Sequence, residues 1–465
     1  MENKKLRSYP YIPNSEPAVK KQMLESVGAE SVEEFYADIP EKLRVKGKLD
    51  LPLPLLSEFE LVRHVEGLLS VNQTSRENLN FLGAGCYQHH VPAVCDEINS
   101  RGEFLTAYAG EPYDDHGRFQ ALFEYQSLMG ELLNMDVVNV PTYDGFQASA
   151  TALRMAVRLT GRSRVLLSKA ISPDKLSKII DYLKPDIQVD LFDFQQETGL
   201  TNLDGLQKMI SEQFAAIYFE VPNIFGGIEV HADQIAEQAH QVGALCVVNV
   251  APISLGVLSP PGDYGADIVC GDIQALGMHM SFGGGHAGFI ATRDEEKFVM
   301  EYPSRLFGIA PTIVEGEYGF GDVAYERTSF ARREGGKEWV GTAAALWGIT
   351  AGVYLALMGP QGMTDVGDAI LQRTRYAMNK IDQLQGIQVM FSNAPHFREF
   401  VVNFDGSGKS VSQVNQALLE RGIFGGKDLS DEYPGLGQSA LYCVTEIHSQ
   451  ADIDRLVEAL AEVTQ

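Results

Sequence analysis

The chain has 465 residues, of which 45% are hydrophobic and 21% are charged, and this fits a globular protein with one large and one smaller domain. Its formal net charge of −25 excludes a broad nucleic-acid-binding surface, because an acidic surface repels phosphates. The five cysteines form no CxxC pair, so we expect reduced thiols in the core of a cytoplasmic protein.

Residues 1–75 are predicted to form a helical segment that wraps around the rest of the chain. Apolar residues recur three and four positions apart in EPAVKKQMLESVG and SVEEFYADIP, and each pattern stops at Gly or Pro. A later helix is expected to begin at Ser57, with Glu60 in capping-box spacing. Neither a signal peptide nor a membrane span is expected, because the N-terminus lacks an apolar stretch and no window approaches about 20 apolar residues.

Residues 76–345 are predicted to form a large α/β domain. Seven short apolar runs alternate with amphipathic helical patterns, which is typical of a mainly parallel seven-stranded sheet covered on both faces. The seven runs are VVNVP (137–141), RVLLS (164–168), QVDLFD (188–193), AAIYFEVP (215–222), ALCVVNV (244–250), ADIVCG (266–271) and AGFIAT (287–292). Residues 346–465 continue with a long helix and then short strands and helices, which predicts a smaller α+β domain.

A strand, a turn and a helix are predicted over residues 140–158. Asp144 can cap the helix, and Gly145 permits a tight turn. The first backbone N–H groups of the helix then point towards the strand end, where they can hold an anion. An ordinary capped helix is the alternative. The candidate phosphate cradle comprises Asp144, Gly145, Phe146, Gln147 and Ala148.

The strand ends of this sheet lack two groups that a pyridoxal phosphate (PLP) site requires. A carboxylate at the end of one strand keeps the cofactor's pyridine nitrogen protonated, and a lysine after the next strand holds its aldehyde. Here the first strand ends near Asn249, while Gln274 and Leu276 occupy the region of the amine. No lysine lies between Lys208 and Lys297. We therefore expect a cavity with neither an amine nor an acid for the cofactor.

Loop residues near the expected strand ends are candidates for a subunit interface or a substrate channel. Polar and aromatic side chains in such loops suit these roles. The alternative is that these residues lie in solvated loops and ordinary turns without such a role. The candidates are Tyr87, His89, His90, Tyr108, Tyr113, Asn223, Gln274, His279 and Lys337. A metal site is not expected, because QHH at 88–90 has no further ligand at a recognisable spacing.

Ordered sequence blocks along nearly the whole chain resemble those of one family. Among them are FYADIP, DLPLPLLSEFELVRH, FLGAGCYQHHVPAV, VPNIFGGIE, PISLGVLSPPGDYGADIVCGD, SFGGGHAGF, YLALMGPQGM and LYCVTEIHS. The family that they resemble is subunit 1 of the two-subunit glycine dehydrogenase (decarboxylating), the P-protein of the glycine cleavage system.

This resemblance implies the fold of type I PLP-dependent transferases and a heterodimer with subunit 2. It also implies that the cofactor lysine belongs to subunit 2, so that no catalytic residue is assigned to this chain. In that family the complex is an oxidoreductase of glycine catabolism. It decarboxylates glycine on PLP and passes the aminomethyl group to the lipoyl arm of the H-protein.

Two alternatives remain open at the level of sequence. Residues 109–117 and 334–341 depart from the family's blocks, which leaves room for a diverged paralogue. Such a chain could be a non-catalytic or regulatory partner subunit, or half of a PLP enzyme for another amino acid. A self-sufficient PLP enzyme would have to use Lys337 as its amine.

Overall fold

The computed structural model describes residue 9 and residues 11–47, 49–105, 116–323, 325–340 and 344–464. The chain divides into two compact units, Met1–Gln73 and Thr74–Gln465. The three-part division at residues 75 and 345 that the sequence suggests stays a prediction.

The first unit contains the helices α1 (Pro17–Ser26) and α2 (Glu58–Leu69). The Glu16 carboxylate accepts the Val19 N–H at 2.9 Å and caps α1. Ser57 caps α2 as expected, since its hydroxyl oxygen accepts the Glu60 N–H. No described residue of this unit is buried, so its apolar side chains have no core of their own.

The second unit holds all the described strands. In chain order they are β1 (Leu79–Asn80), β2 (Val137–Val138), β3 (Arg164–Ser168), β4 (Gln188–Phe192), β5 (Phe214–Val221), β6 (Leu245–Val250), β7 (Ile268–Asp272), β8 (Gly288–Thr292), β9 (Phe307–Pro311), β10 (Tyr318–Asp322), β11 (Gln388–Val389), β12 (Glu399–Asn403), β13 (Ile423–Phe424), β14 (Lys427–Asp428) and β15 (Ser439–Cys443).

The helices of the second unit alternate with the strands over most of its length. They are α3 (Ala93–Ser100), α4 (Gly102–Leu105), α5 (His116–Leu133), α6 (Gly145–Thr160), α7 (Pro173–Leu183), α8 (Leu203–Met209), α9 (Ala232–Gln241), α10 (Glu296–Val299), α11 (Ala345–Ile381), α12 (Val411–Leu419) and α13 (Gln450–Val463).

All seven predicted runs form strands of one seven-stranded sheet, in the order β2-β8-β7-β6-β5-β3-β4. Neighbours from β7 to β4 are parallel, whereas β8 is antiparallel to both β7 and β2. This confirms the predicted mainly parallel sheet. β2 is shorter than its apolar run, because Pro141 has no N–H to continue the ladder and the Asn139 side chain accepts the Ile290 N–H at 2.7 Å.

Both faces of the sheet are covered, as the uninterrupted apolar run of β5 predicts. Ile217 and Phe219 of β5 pack into one core cluster, which includes Ile235 of α9. Tyr218 points to the opposite face and joins a second cluster, which includes Leu153 of α6. The central parallel strands are therefore covered on both faces, and their carboxyl ends meet along one edge.

The C-terminal part builds the predicted α+β arrangement. The antiparallel sheet β11-β12-β15-β14 packs Phe400 and Tyr442 into a cluster with Ile453 and Leu456 of α13. The turn after β5 contacts this sheet closely: Gly226 has φ +80°, and a Cβ there would lie 1.7 Å from the Glu399 carbonyl oxygen. Only glycine fits this contact.

Gly226→Ala is expected to lower the free energy of unfolding by about 3 kcal/mol, because the added methyl group clashes with backbone at a left-handed position. Gly435→Ala is the matched control, since no atom lies within 4 Å of a Cβ at that position. Its effect should stay within about 0.5 kcal/mol. Denaturant unfolding measures both effects. Equal losses of unfolding free energy in the two variants would contradict the close contact between Gly226 and the Glu399 backbone.

Candidate functional site

A cavity of about 370 Å³ lies at the carboxyl ends of the central parallel strands, the edge where open α/β sheets bind ligands. Glu220 from the end of β5 lines it, as do Asn249 from β6 and Asp272 from β7. Asp144 and Gly145 line the same cavity from the start of α6. The sheet edge thus gathers several of the polar residues that the sequence places at strand ends.

The N-terminus of α6 is already bound by carboxylates of the chain itself. Asp144 caps the helix by accepting the Gln147 N–H at 2.7 Å. The Gly145 N–H donates to Asp272 Oδ2 at 2.9 Å, and Ala148 N–H donates to the Asp144 carbonyl oxygen at 3.1 Å. Of the candidate cradle, Asp144, Gly145 and Phe146 line the cavity. The phosphate-binding role of this cradle stays a prediction.

Asp272 also contacts His286. Both His286 and Cys86 line the cavity. His286 Nδ1 lies 3.1 Å from Asp272 Oδ2. Hydrogen bonds with the Asp272 carboxylate and with Cys86 raise the pKa of His286 to about 10, so the ring is an imidazolium at neutral pH. The sequence alone did not indicate this pair, because two histidines in a Gly-rich segment resemble solvated side chains.

Gln274 occupies the region of the expected cofactor lysine, and its amide is fully engaged. The side chain is only 2% exposed. Its Nε2 donates to the carbonyl oxygens of Tyr87 at 2.9 Å and of Met278 at 3.0 Å, while its Oε1 accepts the Tyr87 N–H at 3.1 Å. Leu276 is completely buried. These residues fix the loop that carries Tyr87 and offer no nucleophile.

The cavity does contain an amine and acids, whereas the sequence predicts neither an amine nor an acid for the cofactor. Lys175 of α7 lines it, and its Nζ lies 2.5 Å from Glu220 Oε1, with the two side chains 19% and 10% exposed. Tyr218 OH donates to the same oxygen at 2.8 Å. The sequence prediction rests on Asn249 and Gln274 near the ends of two strands. The Lys175–Glu220 pair instead joins α7 to the end of β5. The Lys175 ammonium is held in an ion pair, which is not the free amine that an aldehyde requires.

Tyr87 and the C-terminal part form one wall of the cavity. Tyr87 OH donates to Glu399 Oε2 at 2.9 Å, and the Ala84 N–H donates to Glu399 Oε1 at 2.6 Å. The Arg398 guanidinium stacks on the Tyr87 ring, with its carbon 3.2 Å from the ring centroid. Burial and the neighbouring Glu399 raise the pKa of Tyr87. Arg398 and Glu399 were missed because nothing local in HFREF indicates a contact with a distant loop.

His89 and His90 both bind Glu446. His89 Nδ1 lies 2.7 Å from Glu446 Oε2, and the His90 N–H donates to Glu446 Oε1 at 2.7 Å. Burial alone would raise the pKa of Glu446, but the His89 ring and these hydrogen bonds outweigh it and lower the pKa to about 2. The two histidines therefore anchor a loop, and their role at an interface stays a prediction.

The remaining candidates occupy separate positions. Asn223 lines the cavity, but its amide holds a turn through the N–H groups of Phe225 and Gly227 and the Gly199 carbonyl oxygen. His279 is exposed and lies 3.0 Å from Asp96. Lys337 lies 3.6 Å from Glu301 and is not among the residues that line the cavity. Tyr108 and Tyr113 lie outside the described residues.

The described part of the chain offers neither a cluster of metal ligands nor a membrane-spanning helix. No three His, Cys, Asp or Glu side chains in it are grouped as metal ligands would be. No helix in it combines the length and the apolar composition that crossing a membrane demands.

The family model described as glycine cleavage system P-protein matches residues 9–460. The chain belongs to this family. It is 38% identical to a probable glycine dehydrogenase (decarboxylating) subunit 1 of Staphylothermus marinus, over 98% of each chain. It is 37% identical to a protein of the same name from Bacillus cytotoxicus, over 97% of this chain and 99% of the relative.

Two solved structures are similar to this chain. A crystal structure of glycine decarboxylase (P-protein) in inhibitor-bound form superposes with a TM-score of 0.86 at 34% identity, over 98% of this chain and 100% of that one. A sphingosine-1-phosphate lyase from Burkholderia pseudomallei shares the fold at a TM-score of 0.65 and 14% identity, over 92% and 94% of the two chains. The fold is that of type I PLP-dependent transferases, as the sequence blocks implied.

Glu446→Gln is expected to remove an acid-sensitive part of the stability. The pKa of Glu446 falls from an ordinary 4.5 to about 2 on folding, so its contribution is fully present above about pH 4.5 and is lost as the pH falls towards about 2. This difference corresponds to about 3 kcal/mol. Denaturant unfolding should therefore show that the free energy of unfolding falls less between pH 7 and pH 3 in the variant than in the wild type.

The exposed Glu420 provides the control for this measurement. Glu420→Gln should retain the wild-type difference between the two pH values. An unchanged difference in Glu446→Gln would show that the His89–Glu446 contact contributes nothing to the acid sensitivity.

Proposed function

We propose that this chain is subunit 1 of a glycine dehydrogenase (decarboxylating) and that it acts only together with a subunit 2 that carries PLP. The observation that carries the proposal is the fully hydrogen-bonded, buried Gln274 in the region where a cofactor lysine is needed. The relatives that match this chain over nearly their whole length bear the name subunit 1. This name supports the existence of a second subunit.

PLP does not fit the cavity of this chain. Its phosphate would meet the Asp272 carboxylate at the N-terminus of α6, where like charges repel. Its aldehyde would meet the Gln274 amide, which cannot form the covalent bond that a lysine forms. No step of the reaction is therefore assigned to a cofactor on this chain.

The proposed complex releases the carboxyl group of glycine as CO₂ on the PLP of subunit 2. It then passes the aminomethyl group to the lipoyl arm of the H-protein. This chain would contribute a stably folded cavity wall and a surface that binds subunit 2. The first unit supports such a partner, because Leu53, Phe59 and Val71 are 92%, 69% and 80% exposed and large exposed apolar areas mark interaction sites.

Co-expression with a cognate subunit 2 should yield a stable heteromeric complex that exchanges bicarbonate into the carboxyl group of glycine when H-protein is present. We expect the exchange rate to exceed that of either subunit alone by about two orders of magnitude, because the isolated chain has no amine for the cofactor. Gel filtration and radiolabelled bicarbonate measure complex formation and exchange.

Alanine and serine serve as the control substrates in the same assay, since their exchange would indicate an enzyme for another amino acid. Exchange by the isolated chain would contradict the proposal, as would a chain that forms no complex and adds no activity to subunit 2.

A further inference from the structure

The cavity at the strand ends has two hydrogen-bond acceptors side by side on its floor. Glu220 of β5 and Asn249 of β6 are register partners, so their side chains leave the sheet on the same face from strands about 4.8 Å apart. Both residues line the cavity. Two neighbouring acceptors suit a ligand group that carries several N–H donors, such as an ammonium group.

Hydrogen bonds beneath the floor determine which atom of Asn249 faces the cavity. The Ser149 hydroxyl donates to the Gly145 carbonyl oxygen at 2.7 Å, so the Ser149 oxygen can only accept from its other neighbours. Asn249 Nδ2 donates to that oxygen at 3.1 Å. The amide nitrogen is therefore directed into the protein, and Oδ1 is left for the cavity.

Glu220 uses one carboxylate oxygen within the chain and keeps the other for a ligand. Its Oε1 accepts from Tyr218 OH at 2.8 Å and from Lys175 Nζ at 2.5 Å. Of the described residues, none donates a hydrogen bond to Oε2. The Glu220 side chain is only 10% exposed, and an acceptor in such a desolvated position gains from a donor that a ligand brings.

Two lysines of α7 add positive charge to the same cavity. Lys175 and Lys178 both line it, and a spacing of three residues places them on one face of the helix. Lys178 pairs with Asp174 at 2.7 Å, but the two side chains are 53% and 70% exposed. Such an exposed ion pair contributes little, so Lys178 can turn to another anion at low cost.

The neighbouring opposite charges favour a ligand that carries both signs. A simple amine would gain the two acceptors but would meet the Lys175 ammonium group, where like charges repel. A simple carboxylate would gain the lysines but would meet the Glu220 carboxylate. Only a ligand with an ammonium and a carboxylate group close together gains both sets of contacts without either repulsion.

We propose that this cavity binds a small α-amino acid as its zwitterion. The ammonium group donates to Glu220 Oε2 and Asn249 Oδ1. The carboxylate accepts from Lys178 and from the N–H groups of Lys175 that Glu220 does not use. The cavity volume of about 370 Å³ accommodates a molecule of this size. Binding is non-covalent and requires no cofactor.

Isothermal titration calorimetry of the full-length chain with glycine and with serine tests this proposal. We expect a dissociation constant of about 1 mM or lower, which small ligands with several charged contacts can reach. Acetate and methylamine each carry one half of the zwitterion. They should bind at least about tenfold more weakly, because each loses one set of contacts and meets a like charge.

Variants on both sides of the site should weaken glycine binding by about tenfold each, which is the loss of one charged contact. Lys178→Met removes the mobile positive charge, and Glu220→Gln removes the negative charge at nearly constant shape. Circular dichroism verifies that Glu220→Gln is folded. Lys184→Met is the matched control, because this lysine of the same region is exposed, pairs with Asp181 and is not among the residues that line the cavity.

The proposal is overturned if neither amino acid binds, if acetate or methylamine binds as tightly as glycine, or if Lys178→Met binds glycine as tightly as the Lys184→Met control. Binding is measured on the chain without PLP and without subunit 2. Its failure is therefore separable from failure of the proposed function.

Discussion

The Asp272 carboxylate at the carboxyl end of β7 is the group on which the cavity depends. It accepts the Gly145 N–H at the start of α6 and lies beside His286 on the far side of the Gly-rich turn. Its other oxygen accepts the Gln274 N–H. One negative charge therefore satisfies the helix N-terminus, keeps the histidine protonated and fixes the loop that carries Gln274.

In this arrangement, side chains of the chain itself occupy the ligand-binding edge of a type I PLP-transferase fold. The sheet and its covering helices are complete, and the cavity lies where such folds bind ligands. Its polar groups, however, pair with one another: Lys175 with Glu220, Tyr87 with Glu399, and Gln274 with the backbone of Tyr87. Internal hydrogen bonds and ion pairs therefore hold the polar side chains that line the cavity.

The fold could be predicted because its signals are local. Apolar runs predicted all seven strands of the large sheet, and their ends differ from the strands by at most two residues except in β2, which is three residues shorter than its run since Pro141 interrupts its ladder. The site was predictable only in part. Gln274 follows the end of β7 and lines the cavity, whereas the Lys175–Glu220 pair and the Arg398–Tyr87 stack join residues far apart in sequence. No spacing rule reveals such contacts.

The most direct test of the central claim is to find which chain holds the cofactor. The complex of this chain and subunit 2 is incubated with PLP, reduced with borohydride and mapped by peptide mass spectrometry. We expect the pyridoxyl group on a lysine of subunit 2 and none on this chain. A stoichiometric pyridoxyl group on Lys175 or Lys178 would contradict the claim that this cavity cannot hold PLP.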